Sequence, residues 1–254
     1  AGAAFVDVGA WSRPAYYQKA GLSKEETVQQ ESLAVRLSVG MIDSSTLGKV
    51  EICGPDAAEF LERFYTGIYA DQKVARSRYV MLLDELGVMV DDGIATRLSQ
   101  DKFFVTISTA NAPMVYREMQ RWLQVWKLNV TLINVTSAYG VINVAGPKAY
   151  QVLSKLVSID LSEDALPVGR SVEAKISGVP VRIVRAAFVA KQAYEVYMPT
   201  GYALSVWKLL LDSGKNEGIR PFGTDTQRLL RLELGHPLPG IDTDGLTNPF
   251  EMRA

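Results

Sequence analysis

The chain has 254 residues, 48% of them apolar, which is enough to bury a sizeable core in one large or two smaller domains. Its 27 basic and 28 acidic residues are scattered and leave a net charge of −1, so a nucleic-acid-binding surface is not expected. No apolar run approaches the ~18 residues that span a bilayer, and the first residues lack a signal-peptide pattern, so we expect a cytoplasmic protein that does not enter a membrane.

The first predicted element is an N-terminal arm over residues 10–30, in which Ser23–Glu26 is a charged helix start. A repeated pattern follows this arm. Val50–Leu61 is typical of a strand, a Gly-Pro turn and a helix with Pro in its first turn, and Ile142–Leu153 has the same pattern in register. Because the two copies start 92 residues apart, we expect two related α+β halves rather than a short-period solenoid.

Between the two copies the sequence predicts a β-meander followed by a helix. Alternating apolar and polar residues predict antiparallel strands at 77–82, 88–98 and 102–106. A helix is predicted over residues 111–126, because its apolar residues recur at helical spacing, at Val115, Met119, Trp122 and Trp126.

The remaining predicted elements complete the second half. They are strands near 129–134, 138–145, 171–177, 180–188 and 194–198, and helices near 201–213 and 223–235. The fold class is therefore α+β, with two related halves built on antiparallel sheets. In the predicted domain organisation, an arm of residues 1–48 packs on a first half of residues 49–135, and residues 136–254 form the second half.

Two adjacent acids, Asp91 and Asp92, lie in the middle of the predicted meander, after the apolar run Gly87–Val90. Neighbouring side chains of a strand point to opposite faces, so at most one of the acids can point into a pocket on a given face. Burial would raise the affinity of that acid for a proton or for a cationic ligand. The alternative is that both acids are solvated at a strand end or a bulge.

Other common chemistries find no support in the sequence. The single histidine, His236, has no His or Cys neighbour with which to form a metal site or a triad, so no metal is expected. The single cysteine, Cys53, excludes an internal disulfide, and core packing in a strand explains it. The two Gly-Pro turns lack the lysine and glycine spacing of a phosphate-binding loop.

Several motifs occur in the order of a known family: Arg36–Gly48, the two Gly-Pro-x-Ala turns, Val90–Asp92, Tyr194–Pro199, Gly223–Asp225, Leu230–Glu233 and Gly240–Pro249. Over nearly all of its length the sequence resembles the glycine-cleavage T-protein (aminomethyltransferase) superfamily. Within it, the sequence is most similar to the folate-binding part of the alpha subunit of heterotetrameric sarcosine oxidase.

The resemblance implies a folate-dependent one-carbon transferase with tetrahydrofolate in a central cleft. In that family an aminomethyl group or an iminium supplies one carbon to N5 and N10 of the reduced folate, which gives 5,10-methylenetetrahydrofolate. The implied partner is a small-molecule donor, a carrier protein or a flavoprotein subunit. The family's catalytic carboxylate corresponds to Asp92, which would accept a proton and stabilise positive charge. Folate-site positions correspond to Tyr79, Ser108 and Asn111; Tyr79 equally suits a strand, and Asn111 a helix N-cap.

The sequence departs from the family pattern at Phe188–Lys191, which the resemblance also places at the folate site. The family has Tyr-Thr-Gly-Glu or Phe-Thr-Gly-Glu there, and its glutamate accepts two hydrogen bonds from the amino-pyrimidine edge of the pterin. Lys191 can only donate, so we expect folate binding to lose on the order of 2–5 kcal/mol. Ser108 is a smaller departure, because many relatives carry asparagine at that position.

The family usually continues into a small C-terminal β-barrel that closes over the site, and this barrel is absent from the chain. We therefore expect a fragment of a longer subunit or a truncated relative with a more open cleft, and an exposed apolar face would favour an oligomer or a larger complex. The alternative function is that of a degenerate, non-catalytic relative acting as a binding or subunit-docking module. Asp92 and Tyr79 favour the transferase, whereas Lys191 and the missing barrel favour the docking module.

Overall fold

The computed structural model describes residues 2–252, and over these residues the chain is a mixed α+β structure. Its strands are β1 (Ala3–Val8), β2 (Trp11–Tyr17), β3 (Gly40–Asp43), β4 (Gly48–Cys53), β5 (Ser77–Leu83), β6 (Met89–Ser99), β7 (Lys102–Ile107), β8 (Thr131–Asn134), β9 (Tyr139–Ala145), β10 (Ser171–Ile176), β11 (Val179–Arg185), β12 (Ala193–Pro199) and β13 (Arg220–Pro221). Its helices are α1 (Lys24–Leu37), α2 (Ala57–Phe64), α3 (Ala112–Trp126), α4 (Ala149–Ser154), α5 (Ala203–Ser213), which follows a 3-10 turn, and α6 (Thr224–Glu233).

The chain divides into two compact units. The meander unit contains Leu47–Thr136 and the residues from Pro237 onward, and the composite unit contains the residues up to Thr46 and Ser137–His236. Among residues 2–252, no helix is both long enough and apolar enough to cross a bilayer.

The meander unit is built on a five-stranded antiparallel sheet in the order β5-β6-β7-β4-β8. Helices α2 and α3 pack against this sheet. The apolar stripe predicted on α3 is confirmed, because Val115 and Met119 are buried and the rings of Trp122 and Trp126 stack 5.2 Å apart beside the same core. The predicted meander strands and this helix are each confirmed to within one residue.

The composite unit is built on a six-stranded sheet in the order β10-β11-β12-β9-β3-β13, in which β13 and β3 are parallel and the other neighbours antiparallel. Helix α1 begins where the sequence predicts, because the Ser23 side chain accepts from the backbone N–H of Glu26 and the Glu26 carboxylate accepts from that of Ser23. The buried Glu31 carboxylate of α1 accepts hydrogen bonds from Tyr17 N and from both Gly223 N and Thr226 Oγ1. It therefore ties β2 and the start of α6 to α1.

The structure divides the chain differently from the predicted organisation at the N-terminal arm. The start of the arm is a hairpin of β1 and β2, and strand β3 pairs with β9 through Gly40 opposite Ala145 and Asp43 opposite Ile142. The residues up to Thr46 therefore belong with Ser137–His236 and not with residues 49–135. The sequence does not indicate this pairing, because β3 has only four residues and its partner lies far along the chain.

The two Gly-Pro turns are confirmed as strand-to-helix junctions, one leading from β4 into α2 and the other from β9 into α4. Gly54 has a φ of 141° and Gly146 a φ of 124°, a region that residues with a Cβ rarely adopt. The prolines lie outside the helices, two positions before the first helical residue, and not in the first turn as predicted. They still preset the entry, since their φ is fixed and their missing N–H is not needed.

Candidate functional site

The two adjacent acids lie on β6 and point to opposite faces of the meander sheet, as strand alternation requires. Asp91 is fully buried on the face that also carries the core residue Ala95. Asp92 is half-buried on the other face. The strongly desolvated acid is therefore Asp91, whereas the family resemblance assigns the catalytic carboxylate to Asp92, which is only half-buried. This difference arises because the resemblance identifies a position, but only the packing of the sheet decides which face is covered.

The buried carboxylate of Asp91 is held by donors from the segment between β7 and α3. The backbone N–H of Ser108 donates to its Oδ2 at 3.2 Å, and the side-chain amide of Asn111 donates to its Oδ1 at 3.0 Å. Burial raises the pKa of Asp91 to about 6, while these hydrogen bonds act in the opposite direction and the charge of Asp92 raises the pKa further. Asp91 is thus a carboxyl group that can change its charge near neutral pH.

Asn111 stands at the N-cap position of α3, but its side chain does not cap the helix. Its amide Nδ2 instead donates to Asp91 Oδ1 and, at 3.2 Å, to the carbonyl oxygen of Val90. Of the two roles considered for Asn111, helix capping is not found, and the folate contact stays a prediction. The Asn111 side chain instead holds the buried carboxylate of Asp91 by a hydrogen bond.

The half-buried carboxylate of Asp92 is bound by two hydroxyl groups. The phenol of Tyr79 on β5 donates to its Oδ2 at 2.8 Å, and the hydroxyl of Ser108 donates to its Oδ1 at 3.2 Å. Burial, followed by the neighbouring Asp92 carboxylate, raises the pKa of Tyr79 well above its usual range, so the phenol keeps its proton at neutral pH. Tyr79 as a whole residue is 45% exposed. The structure therefore brings Tyr79, Asp92 and Ser108 together, with an aromatic ring and a carboxylate both accessible.

A close approach of two backbones shapes β6 directly after Asp92. A Cβ built on Gly93 would lie 1.9 Å from the carbonyl oxygen of Thr106 on β7. The hydroxyl of Thr106 accepts a hydrogen bond from the backbone N–H of Ile94 at 3.1 Å, next to the point where the β6–β7 pairing begins at Ala95. Glycine at position 93 is thus required for the course of the strand that carries both acids.

Tyr65 was missed by the sequence analysis. It follows α2 and is buried in the meander unit, and its hydroxyl has no hydrogen-bond partner among the described residues. Burial, and then the nearby charge of Asp91, raise the pKa of its phenol well above the usual range. No local signal in the sequence indicates it, since a tyrosine after an apolar helix is ordinary core.

The two other predicted site residues, Phe188 and Lys191, lie in the composite unit and are described within it. The ring of Phe188 lies 5.4 Å from that of His236 and packs beside a small apolar core. The side chain of Lys191 is exposed and lines a cavity of about 350 Å³. The same cavity is lined by the ion pair of Arg36 with Glu233 and by Gly146.

The composite unit also buries a carboxylate that was not among the predicted site residues. Glu195 on β12 accepts a hydrogen bond from the phenol of Tyr197 at 2.5 Å, and burial raises the pKa of Glu195. Asn143 lies opposite Glu195 on β9, and its buried Oδ1 has no partner among the described residues. An acid within the otherwise apolar run of β12 is the sequence signal that could have identified this acceptor pair.

The arrangement in the meander unit suits proton and cation chemistry. Over residues 2–252, no group of three or more His, Cys, Asp or Glu side chains could hold a metal ion. Asp92 can accept a proton or stabilise a positive charge, with Tyr79 and Ser108 fixing its two oxygens.

Comparisons with known proteins find similar proteins over nearly the whole chain. The family described as the GCVT N-terminal domain matches residues 1–254. The sarcosine oxidase alpha subunit of Corynebacterium sp. (strain U-96) is 42% identical over 252 residues, which are 98% of this chain and 26% of that protein. The aminomethyltransferase of Chlorobium luteolum is 32% identical over 253 residues, which are 100% of this chain and 67% of that protein. This chain thus spans about a quarter of the sarcosine oxidase subunit.

Solved structures give the same result for the fold. The glycine cleavage system aminomethyltransferase T from Bartonella henselae superposes with a TM-score of 0.83 and 26% identity, covering 98% of this chain and 63% of that one. A chain of heterotetrameric sarcosine oxidase from Corynebacterium sp. U-96 superposes with a TM-score of 0.56 over 76% of this chain and 93% of that one. Its identity of 16% supports a shared fold alone.

Proposed function

The chain belongs to the family of the GCVT N-terminal domain, and from this premise we propose that it is a folate-dependent one-carbon (aminomethyl) transferase domain that forms 5,10-methylenetetrahydrofolate. The observation that carries the proposal is the carboxylate of Asp92. It is accessible, its two oxygens are fixed by Tyr79 and Ser108, and it stands beside an exposed aromatic ring. A bound tetrahydrofolate would supply the N5 and N10 amines that take up the one-carbon unit.

The residues of the meander unit fit the amine-bearing end of a reduced folate. The ring of Tyr79 offers an apolar face for a planar heterocycle, and its phenol stays protonated and keeps donating to Asp92. The Asp92 carboxylate can hold a proton at either Oδ atom or stabilise positive charge that develops next to it. Asp91 does not offer the same chemistry directly, because its side chain is turned into the core.

Lys191 departs from the family pattern at a position that the resemblance assigns to folate. The amino-pyrimidine edge of a pterin needs an acceptor, and the Lys191 ammonium only donates, which would cost on the order of 2–5 kcal/mol of binding free energy. We propose that folate still binds, at the lower affinity that this loss implies.

A second candidate function is a subunit-docking module without catalysis, and the exposed Lys191 is the observation that favours it. A relative with 42% identity is named as the alpha subunit of sarcosine oxidase, so a larger complex with a flavoprotein or carrier partner is a corresponding proposal. In this case the chain would keep the fold and lose the ligand. The two candidates differ in one measurable property, the affinity for a reduced folate.

Calorimetric titration with 5-formyltetrahydrofolate, a stable reduced folate, separates the two candidates. We expect saturable binding in the micromolar range that is lost in Asp92→Asn, since the amide removes the anion and preserves the shape. Lys191→Glu should tighten this binding, because it restores an acceptor at that position. Absence of binding in the unmodified chain, with restoration by Lys191→Glu, would contradict the transferase proposal and support the docking module.

A further inference from the structure

We propose that Asp91 is a positioning residue, which sets the orientation of Asp92 through Ser108 and releases it when Asp91 is protonated. This inference rests on the proposed function, because it concerns how the same carboxylate is made ready for a reduced folate. Asp91 itself is fully buried and faces away from Asp92, so it is not offered as a residue that contacts the ligand.

The connection runs through a single residue. Ser108 donates its backbone N–H to Asp91 Oδ2 at 3.2 Å and its side-chain hydroxyl to Asp92 Oδ1 at 3.2 Å. The two acids lie on opposite faces of β6, and Ser108 bonds both because it stands directly beyond the end of β7. A movement of the Ser108 backbone therefore changes the hydrogen bond that fixes the accessible acid.

Protonation of Asp91 would weaken the two hydrogen bonds that hold this segment. Ser108 N donates to Oδ2 and Asn111 Nδ2 donates to Oδ1, and both bonds are charge-assisted while Asp91 is ionised. A proton neutralises the carboxylate, and although each oxygen can still accept, a hydrogen bond to a neutral acceptor is roughly half as strong. Because Asn111 and Ser108 both belong to the segment that enters α3, this weakening loosens that segment.

Titratable groups from three segments of the meander unit surround Asp91. Besides Asp92 on its own strand, the titratable groups that interact with it are Tyr79 on β5 and Tyr65 after α2. The pKa values of both phenols are raised, so neither changes its charge in this range. Burial brings the pKa of Asp91 to about 6.

The first test is nuclear magnetic resonance of the whole chain without ligand, between pH 5 and 8. We expect the amide resonance of Ser108 to titrate with a midpoint near 6, as does Asp91. The titration should vanish in Asp91→Asn and persist in Ser108→Ala, which keeps the backbone N–H. A Ser108 amide that does not respond to pH in the unmodified chain would overturn the proposal.

The second test is the affinity for 5-formyltetrahydrofolate at pH 5.5 and at pH 7.5. In the unmodified chain we expect binding to be about two- to tenfold weaker at the lower pH, the range for loss of one hydrogen bond. The ratio should approach one in Ser108→Ala and in Asp91→Asn, and should be retained in Ser108→Thr, which keeps a hydroxyl. The same ratio of affinities at the two pH values in all four proteins would refute the coupling of Asp91 to Asp92. A merely structural role of Asp91 or Ser108 would not change this ratio.

The tests distinguish this inference from the proposed function. If the unmodified chain binds no folate at either pH, the proposed function fails, and the side-chain carboxyl resonance of Asp92 decides the positioning role. Its shift near pH 6 should become smaller in Ser108→Ala, since only direct repulsion from Asp91 then remains. A shift of unchanged size would overturn the positioning role.

Discussion

Replacing Gly93 with alanine tests whether the site depends on the close approach of two strands. A Cβ at this position would lie 1.9 Å from the carbonyl oxygen of Thr106, far inside van der Waals contact. Because the obstructing atom belongs to the backbone of β7, a side-chain rotation cannot relieve the clash. Overpacking of this kind costs about 2–3 kcal/mol, and for a chain of this size we expect the melting temperature to fall by about 4–12 °C.

The matched control is Gly245→Ala in the same unit, where a Cβ meets nothing within 4 Å. Thermal unfolding of both variants by circular dichroism measures the difference, and titration with 5-formyltetrahydrofolate measures the effect on Asp92, the residue that precedes Gly93. We expect the control to keep both properties. A Gly93→Ala protein with the melting temperature of the control would show that β6 and β7 do not approach as closely as the structure has them.

Three further predictions concern other carboxylates and the phenol. Glu31→Gln should lower the free energy of unfolding, measured in urea, by about 2–3 kcal/mol, because an amide cannot accept all three hydrogen bonds. The control is Glu25→Gln, an exposed position on the same helix, which should leave this free energy unchanged. Equal free energies of unfolding for the two variants would contradict the role of Glu31. Tyr79→Phe should weaken folate binding about two- to tenfold through the lost donor to Asp92, with little change in melting temperature, and unchanged affinity would refute it. Since burial raises the pKa of Asp91 to about 6 from an ordinary value of 3.8, its stabilising contribution is complete below pH 4 and is lost as the pH rises through 6. Relative to Asp91→Asn, the unmodified chain should lose on the order of 2–3 kcal/mol between pH 4 and 6, and a flat difference in urea unfolding would contradict the shift.

Local patterns predict most of the secondary structure, because each element carries its own signal. The stripe from Val115 to Trp126 has the period of a helix, and the meander strands alternate, so both are confirmed closely. The pairing of β3 with β9 has no such signal. A four-residue strand is too short to show a period. Its partner β9 lies far along the chain, and the pairing depends on tertiary packing. The N-terminal residues were therefore grouped with the wrong neighbours.

The candidate site is only partly predictable for the same reason. Strand alternation shows that Asp91 and Asp92 face opposite ways, but it does not show which face the helices cover. The resemblance predicts Tyr79 and Ser108 as site residues, and in the structure both donate hydrogen bonds to the Asp92 carboxylate. The resemblance gives no indication of Tyr65, because the raised pKa of its phenol depends on burial and on Asp91, a neighbour distant in sequence.

The two Gly-Pro junctions show what the internal repeat means physically. A Cβ on Gly54 would lie 2.2 Å from the carbonyl oxygen of Asn129, and one on Gly146 would lie 2.5 Å from that of Val35. The neighbours differ in sequence and in the element they belong to, yet both glycines have positive φ and both face a backbone carbonyl. The repeat therefore preserves a requirement of the backbone, a strand that turns tightly into a helix against another segment, and not a particular side-chain contact. This explains why Gly and Pro match between the copies while Asp56 is replaced by Lys148.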